Sequence, residues 1–218
     1  MNSRIFTVVI FVAVVFAASI FFTTFTANVR LPDNQQGYEP VQPIAYSHRL
    51  HAGELGISCT HCHFAAERGR AAGIPPASAC MNCHKFVTAP FVDVKAEDAL
   101  ATKENRKPRL IVSGELRKVY DAVGLNAELQ PDPRERPNPL AWVKVHNLPS
   151  FVYFNHSAHV KRGVECQSCH GQVETMERVR QVSDLSMGWC VNCHRDANAN
   201  GIVGKKVSAP TDCIACHH

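Results

Sequence analysis

All ten cysteines of this 218-residue chain fall within five copies of one five-residue pattern. The copies are Cys59-Thr-His-Cys62-His63, Cys80-Met-Asn-Cys83-His84, Cys166-Gln-Ser-Cys169-His170, Cys190-Val-Asn-Cys193-His194 and Cys213-Ile-Ala-Cys216-His217. Cys-x-x-Cys-His is the attachment signature of c-type haem: the two thiols form thioethers with the haem vinyl groups, and the adjoining histidine reaches the iron. Structural zinc would need such units to combine in pairs, and five is odd. Zinc also gives no reason for a histidine after every second cysteine. A disulfide framework fails similarly, because cysteines so close in sequence seldom bridge each other and the histidines would be idle. The pattern predicts five covalently bound haem c groups.

Roughly 190 residues lie beyond the apolar N-terminal segment, one domain's worth of chain. Shared among five haems, that is too little polypeptide for an ordinary apolar core. The predicted fold is therefore a mostly irregular and α-helical multihaem cytochrome c, with short helices, few strands and the porphyrins as the core. The net charge of +4 is mild and argues against a nucleic-acid partner. Local basic groups are better matched to haem propionates or to acidic partner surfaces.

No residue from Ile5 to Val29 is charged, and Ile5 to Phe22 is apolar apart from Thr7 and Ser19. About 20 such residues suffice to cross a bilayer as a helix. Residues 1–30 are read as a retained signal anchor. A cleaved signal peptide would have a shorter apolar core and a small-residue cleavage site, for which Thr24-Phe-Thr-Ala27 is a poor candidate. Arg4 precedes the span and Arg30 follows it, a thin charge signal for a cytoplasmic N-terminus. Covalent haem attachment outside the cytoplasmic membrane favours the same topology: a single pass through a bacterial cytoplasmic membrane, with the haem domain on the periplasmic side.

An internal repeat organises the rest. Tyr46-Ser-His48-Arg-Leu-His51 precedes the first motif and Phe154-Asn-His156-Ser-Ala-His159 precedes the third. A second motif follows in each half, with Asn82 and Asn192 at the same internal position. Residues 31–90 form a two-haem module and 140–218 a three-haem module. Between them, 91–139 carries no cysteine or histidine. Within this insert, Ser113 to Gly124 reads as a short helix: Ser113 is the N-cap, Leu116, Val119, Tyr120 and Val123 form the apolar stripe, and Gly124 is the stop. Gln130 to Pro139 is a proline-rich, extended linker. The insert is either a surface loop with one packed helix or a docking arm for another subunit.

The motif histidines His63, His84, His170, His194 and His217 each supply one axial ligand. The sixth position then decides between electron transfer and small-molecule chemistry. Seven further histidines are available. His48, His51, His156 and His159 are assigned as distal ligands, because residues three apart on a helical turn share a face and can serve two neighbouring haems. His146 is assigned to the fifth iron, with Met187 and the C-terminal His218 as alternatives. His61 sits inside a motif loop and points outward. Trp142, Trp189, Tyr153 and Phe154 are read as aromatic packing around the porphyrins.

Several stretches resemble the ActA family of pentahaem cytochrome c subunits of alternative complex III. They are Pro43-Ile-Ala-Tyr-Ser-His48 through Cys59-Thr-His-Cys62-His63, then Ala72-Gly-Ile-Pro-Pro76 before Cys80, Trp142-Val-Lys-Val-His146 through His156, and Met187-Gly-Trp-Cys190. The wider cytochrome c3/c7 class shares the pairing of His-x-x-His with Cys-x-x-Cys-His. The resemblance covers both haem modules and the anchor; the insert contributes little. It implies a quinol:acceptor oxidoreductase complex in which a polytopic quinol-binding subunit and an iron–sulfur subunit feed electrons into the pentahaem chain. From there they pass toward a monohaem cytochrome c subunit or another periplasmic acceptor. The chain would not be catalytic by itself. A stand-alone membrane-anchored shuttle and a multihaem reductase are the competing readings, and the supply of spare histidines weighs against the reductase.

Overall fold

The computed structural model describes residues 3–28, 34–134 and 136–217; Arg30 and His218 lie outside them. Among the described residues the chain is helical and irregular, with isolated β-bridges and no β-strand. This is the mostly α-helical, irregular architecture expected from the sequence.

Helix α1, Ser3–Asn28, contains an apolar span Thr7–Thr24 of mean hydropathy 2.4, none of it buried against the rest of the protein. At 1.5 Å per residue those 18 residues rise about 27 Å, close to the hydrocarbon thickness of a bilayer. The hydroxyls of Ser19, Thr23 and Thr24 donate to carbonyls three or four residues back, so they carry their own acceptors along the helix. The helix is long and apolar enough to span a membrane.

The two copies of the sequence repeat, here called the first and second modules, fold alike. In the first, a π-helical turn Arg49–Glu54 begins just after His48, and the first motif forms a one-turn helix α2, Cys59–Cys62. A 3-10 turn Phe64–Glu67 follows, and the second motif ends helix α3, Ala77–His84. In the second module the histidine pair lies on α6, His156–Val160, and the third motif on α7, Gln167–His170. A 3-10 turn Val173–Thr175 follows, and the fourth motif lies in α8, Met187–Asn200. The fifth motif is a final 3-10 turn, Cys213–Ala215. Short polar side chains start these elements: Asn155 accepts from Ala158 N, Ser186 from Trp189 N and Asp212 from Ala215 N.

The modules are crossed. The 3-10 turn after the first motif packs on α6, and the turn after the third motif packs on the Arg49–Glu54 turn. His156 N donates to Arg70 O and Ser157 N to Gly69 O, while Arg49 N donates to Met176 O. Arg49 also pairs with Glu177, and the Arg70 guanidinium lies 4.4 Å over the Tyr153 ring. The backbones approach so closely that a Cβ at Gly53 would collide with the Glu174 carbonyl oxygen.

The insert is folded onto the first module. Its helix α5, Gly114–Ala122, starts at Ser113, whose Oγ accepts from Leu116 N, and Gly124 adopts φ 75° just beyond its end. Tyr120 is fully buried and Glu115 accepts from Ala45 N at 2.7 Å. A second helix, α4 (Phe91–Lys103), precedes it where the sequence reading had only loop. Phe91 and Val92 on α4 are 75% and 70% exposed, so no apolar stripe marks it; its alanines, Leu100 and Glu97 supply helix propensity instead. Buried apolar residues are few among those described: Ile44, Val119, Tyr120 and five alanines.

Candidate haem centres

Most of the assigned histidines share one hydrogen-bonding arrangement. Nδ1 lies within hydrogen-bond distance of a backbone carbonyl in His63 (Gly73 O, 2.8 Å), His84 (Val87 O, 2.8 Å) and His194 (Pro210 O, 2.5 Å). The same holds for His51 (Ser47 O, 2.8 Å), His156 (Arg70 O, 2.8 Å) and His159 (Asn155 O, 2.8 Å). A carbonyl only accepts, so Nδ1 carries the proton and the Nε2 lone pair is left for a metal. Metal-ligating histidines are oriented in this way.

The rings also pair across motifs. Two imidazoles that would hold one metal between them, at roughly 2 Å per bond, would bring their centroids to about 6 Å. His51 and His84 lie 6.2 Å apart, His156 and His170 6.3 Å, and His159 and His194 6.0 Å. Each His-x-x-His pair therefore reaches toward different motifs. His48 is the remaining member of its pair. Its Nδ1 is buried without a hydrogen-bond partner, and burial, with His63 and His51 nearby, lowers its pKa to about 4. A buried imidazole with a nitrogen unpaired, close to other imidazoles, is suited to a metal. These residues fit c-type haem iron.

Aromatic rings set both pairs. Tyr46 stacks on His51 at 4.4 Å and meets His48 edge-on at 4.8 Å. Phe154 repeats this with His159 at 4.5 Å and His156 at 4.8 Å. The position of these aromatics, two residues before each pair, was visible in the repeat, but the sequence reading gave Tyr46 no role. The carbonyls of Gly73, Val87, Arg70 and Pro210 were also missed, since backbone acceptors carry no side-chain signal.

The cysteines of different motifs are neighbours. Burial raises the thiol pKa of Cys62, Cys80, Cys166 and Cys190, and that of Cys169 to about 11. In each case a thiol of another motif adds to the effect: Cys83 for Cys62, Cys62 for Cys80, Cys59 for Cys166, Cys193 for Cys169 and Cys216 for Cys190. Thiols of the first and second, first and third, third and fourth, and fourth and fifth motifs are thus close enough to interact.

His217 stands apart. Among the described residues its ring neighbour is Phe151 at 5.7 Å, and Val152 pairs with it as a β-bridge. Met187 opens α8 and is 67% exposed, and His61 is exposed. His146 is half-buried beside His170, at a centroid distance of 4.3 Å, with its Nε2 3.1 Å from His170 Nδ1.

Comparison with known proteins agrees with this chemistry. Residues 152–218, from the second histidine pair to the fifth motif, match the family described as cytochrome c7 and related cytochrome c. The match covers under half of the chain and supports a multihaem c-type cytochrome, a class of electron-transfer protein. It is also 24% identical over 196 residues to the multihaem cytochrome c subunit of menaquinone reductase from Nitratidesulfovibrio vulgaris, a match covering 81% of this chain and 76% of that protein.

Proposed function

We propose that the chain carries five haem c groups and serves as the membrane-anchored electron relay of a quinone-linked oxidoreductase complex of the alternative complex III type. Cys59 and Cys62, Cys80 and Cys83, Cys166 and Cys169, Cys190 and Cys193, and Cys213 and Cys216 hold the five groups. His63, His84, His170, His194 and His217, together with His48, His51, His156 and His159, would hold the irons. The observation that carries the reading is the set of imidazoles facing motif histidines, His51–His84 at 6.2 Å, His156–His170 at 6.3 Å and His159–His194 at 6.0 Å. When bound, c-type haem iron supplies one-electron redox chemistry. The chain's own work is to hold Nδ1 protons on carbonyls, present Nε2, and stack Tyr46 and Phe154 against the distal rings. Helix α1 anchors it in a bacterial cytoplasmic membrane, with the modules on the periplasmic side.

In this reading, polytopic quinol-binding and iron–sulfur subunits deliver electrons, and a monohaem cytochrome or other periplasmic acceptor removes them. A second reading reverses the direction: the relative is a subunit of a menaquinone reductase, so the relay would feed electrons toward menaquinone. Purification in mild detergent followed by stopped-flow mixing with menaquinol tests both. Co-purifying iron–sulfur and polytopic subunits, with haem reduction by menaquinol, support the first. A complex whose haems are oxidised by menaquinone supports the second. A chain migrating alone favours a shuttle, and a stoichiometric high-spin haem that binds nitrite favours a reductase.

A further inference from the structure

Three of the five motif histidines hand their Nδ1 proton to a backbone carbonyl, whereas His170 faces another side chain. His170 Nδ1 lies 3.1 Å from His146 Nε2, and the rings meet edge-on at 81°. If His170 gives its Nε2 lone pair to iron, as in the reading above, its Nδ1 must carry a proton. His146 Nε2 must then be the acceptor, which fixes the neutral His146 tautomer with its own proton on Nδ1. An imidazole in that state has no lone pair left for a metal: one nitrogen accepts a hydrogen bond and the other is protonated.

The segment bearing His146 is itself anchored. Asn147 N donates to Gln181 Oε1 at 3.2 Å, Gln181 Nε2 donates to Ser183 O at 3.0 Å, and Gln181 is fully buried. The Gln181 backbone is pinned from both sides, by Gly37 N on its carbonyl and by Tyr38 O on its amide. His156, at 6.3 Å and 7° from coplanar with His170, is placed to serve as the ligand for that motif. We propose that His146 is a positioning residue that accepts the His170 Nδ1 proton and tunes the potential of the haem at Cys166 and Cys169, and that it is not the ligand of the fifth iron. This rests on the haem-ligation reading above. A side-chain acceptor raises the basicity of the ligand beyond it and favours the ferric state.

The test uses the full-length, haem-loaded protein with H146F and H146Q. The expected result is an unchanged number of covalent haems by intact mass and no new high-spin ferric signal. H146F should shift the midpoint potential of a single haem upward, and H146Q, which keeps an acceptor, should shift it less. One new high-spin, cyanide-binding haem per chain would make His146 a ligand and overturn the proposal; potentials all at wild-type values would reduce it to packing. If H146F fails to mature, nitrogen-15 histidine NMR of the ferrous wild-type protein gives the answer. A neutral Nδ1–H tautomer free of iron at His146 supports the proposal, and an iron-bound resonance there sinks it. A chain with no covalent haem by mass would instead refute the underlying reading.

Discussion

The buried hydroxyl of Tyr120 donates to the backbone carbonyl of His84 across 2.6 Å, joining the insert to the last residue of the second motif. Tyr120→Phe removes the donor and leaves that carbonyl underused, at a cost of about 0.5–1.5 kcal/mol. Tyr120→Ala also empties a large buried ring and should cost about 3–5 kcal/mol, as for other aromatic truncations. Chemical denaturation of the haem-loaded protein measures both. A Tyr120→Ala variant as stable as wild type would mean that α5 is not a support for this motif.

The aromatic rings before each histidine pair hold two imidazoles at once. Tyr46→Phe should preserve the ferric low-spin spectrum, because Phe154 does the same work without a hydroxyl. Tyr46→Ala should release both His48 and His51 and raise the high-spin fraction at two haems. Electron paramagnetic resonance distinguishes these outcomes, and an unchanged Tyr46→Ala spectrum would leave the ring without an orienting role.

The ring spacings separate the members of each pair. His51→Ala should unbind the distal side of the haem at Cys80 and Cys83, and His159→Ala that of the haem at Cys190 and Cys193. Each variant should show one high-spin haem while all thioethers persist, since attachment depends on the motifs. Wild-type low-spin spectra in both variants would count against the distal assignment.

A pH dependence arises in the insert. The Arg106 guanidinium, 2.5 Å from Glu97, together with the Arg109 backbone N–H, lowers the Glu97 pKa from 4.5 to about 2. A carboxylate whose pKa is depressed on folding stabilises the folded state above its unfolded pKa, and that contribution fades as pH falls through the folded value. The stability gap between wild type and Glu97→Gln should therefore be full above about pH 5 and close as the pH approaches 2. Denaturation series across that range read the gap directly, and a gap independent of pH would exclude the ion pair as its source.

The Ser113 cap and the doubled Cys-x-x-Cys-His and His-x-x-His patterns could be read from the sequence, because each is a local pattern with a chemical cause. Helix α4 escaped because its apolar residues face several directions, so propensity rather than periodicity marks it. The crossing of the modules escaped for a different reason. It is made by backbone groups such as Arg70 O and Met176 O, whose partners lie far away in sequence. His146 illustrates both limits. A spare histidine in a haem-rich chain suggests a ligand, and its approach to His170 Nδ1 is visible only in the fold.

The crossing leaves this chain without a severable half. The carbonyl that sets the His156 tautomer belongs to Arg70, on the far side of the insert, and the turn holding His51 leans on residues that follow the third motif. Thermal melts followed separately at each haem should therefore coincide in one transition. A fragment comprising 140–218 alone should attach haem yet lose the order of its first pair, because the acceptor that aligns His156 would have been left on the other fragment.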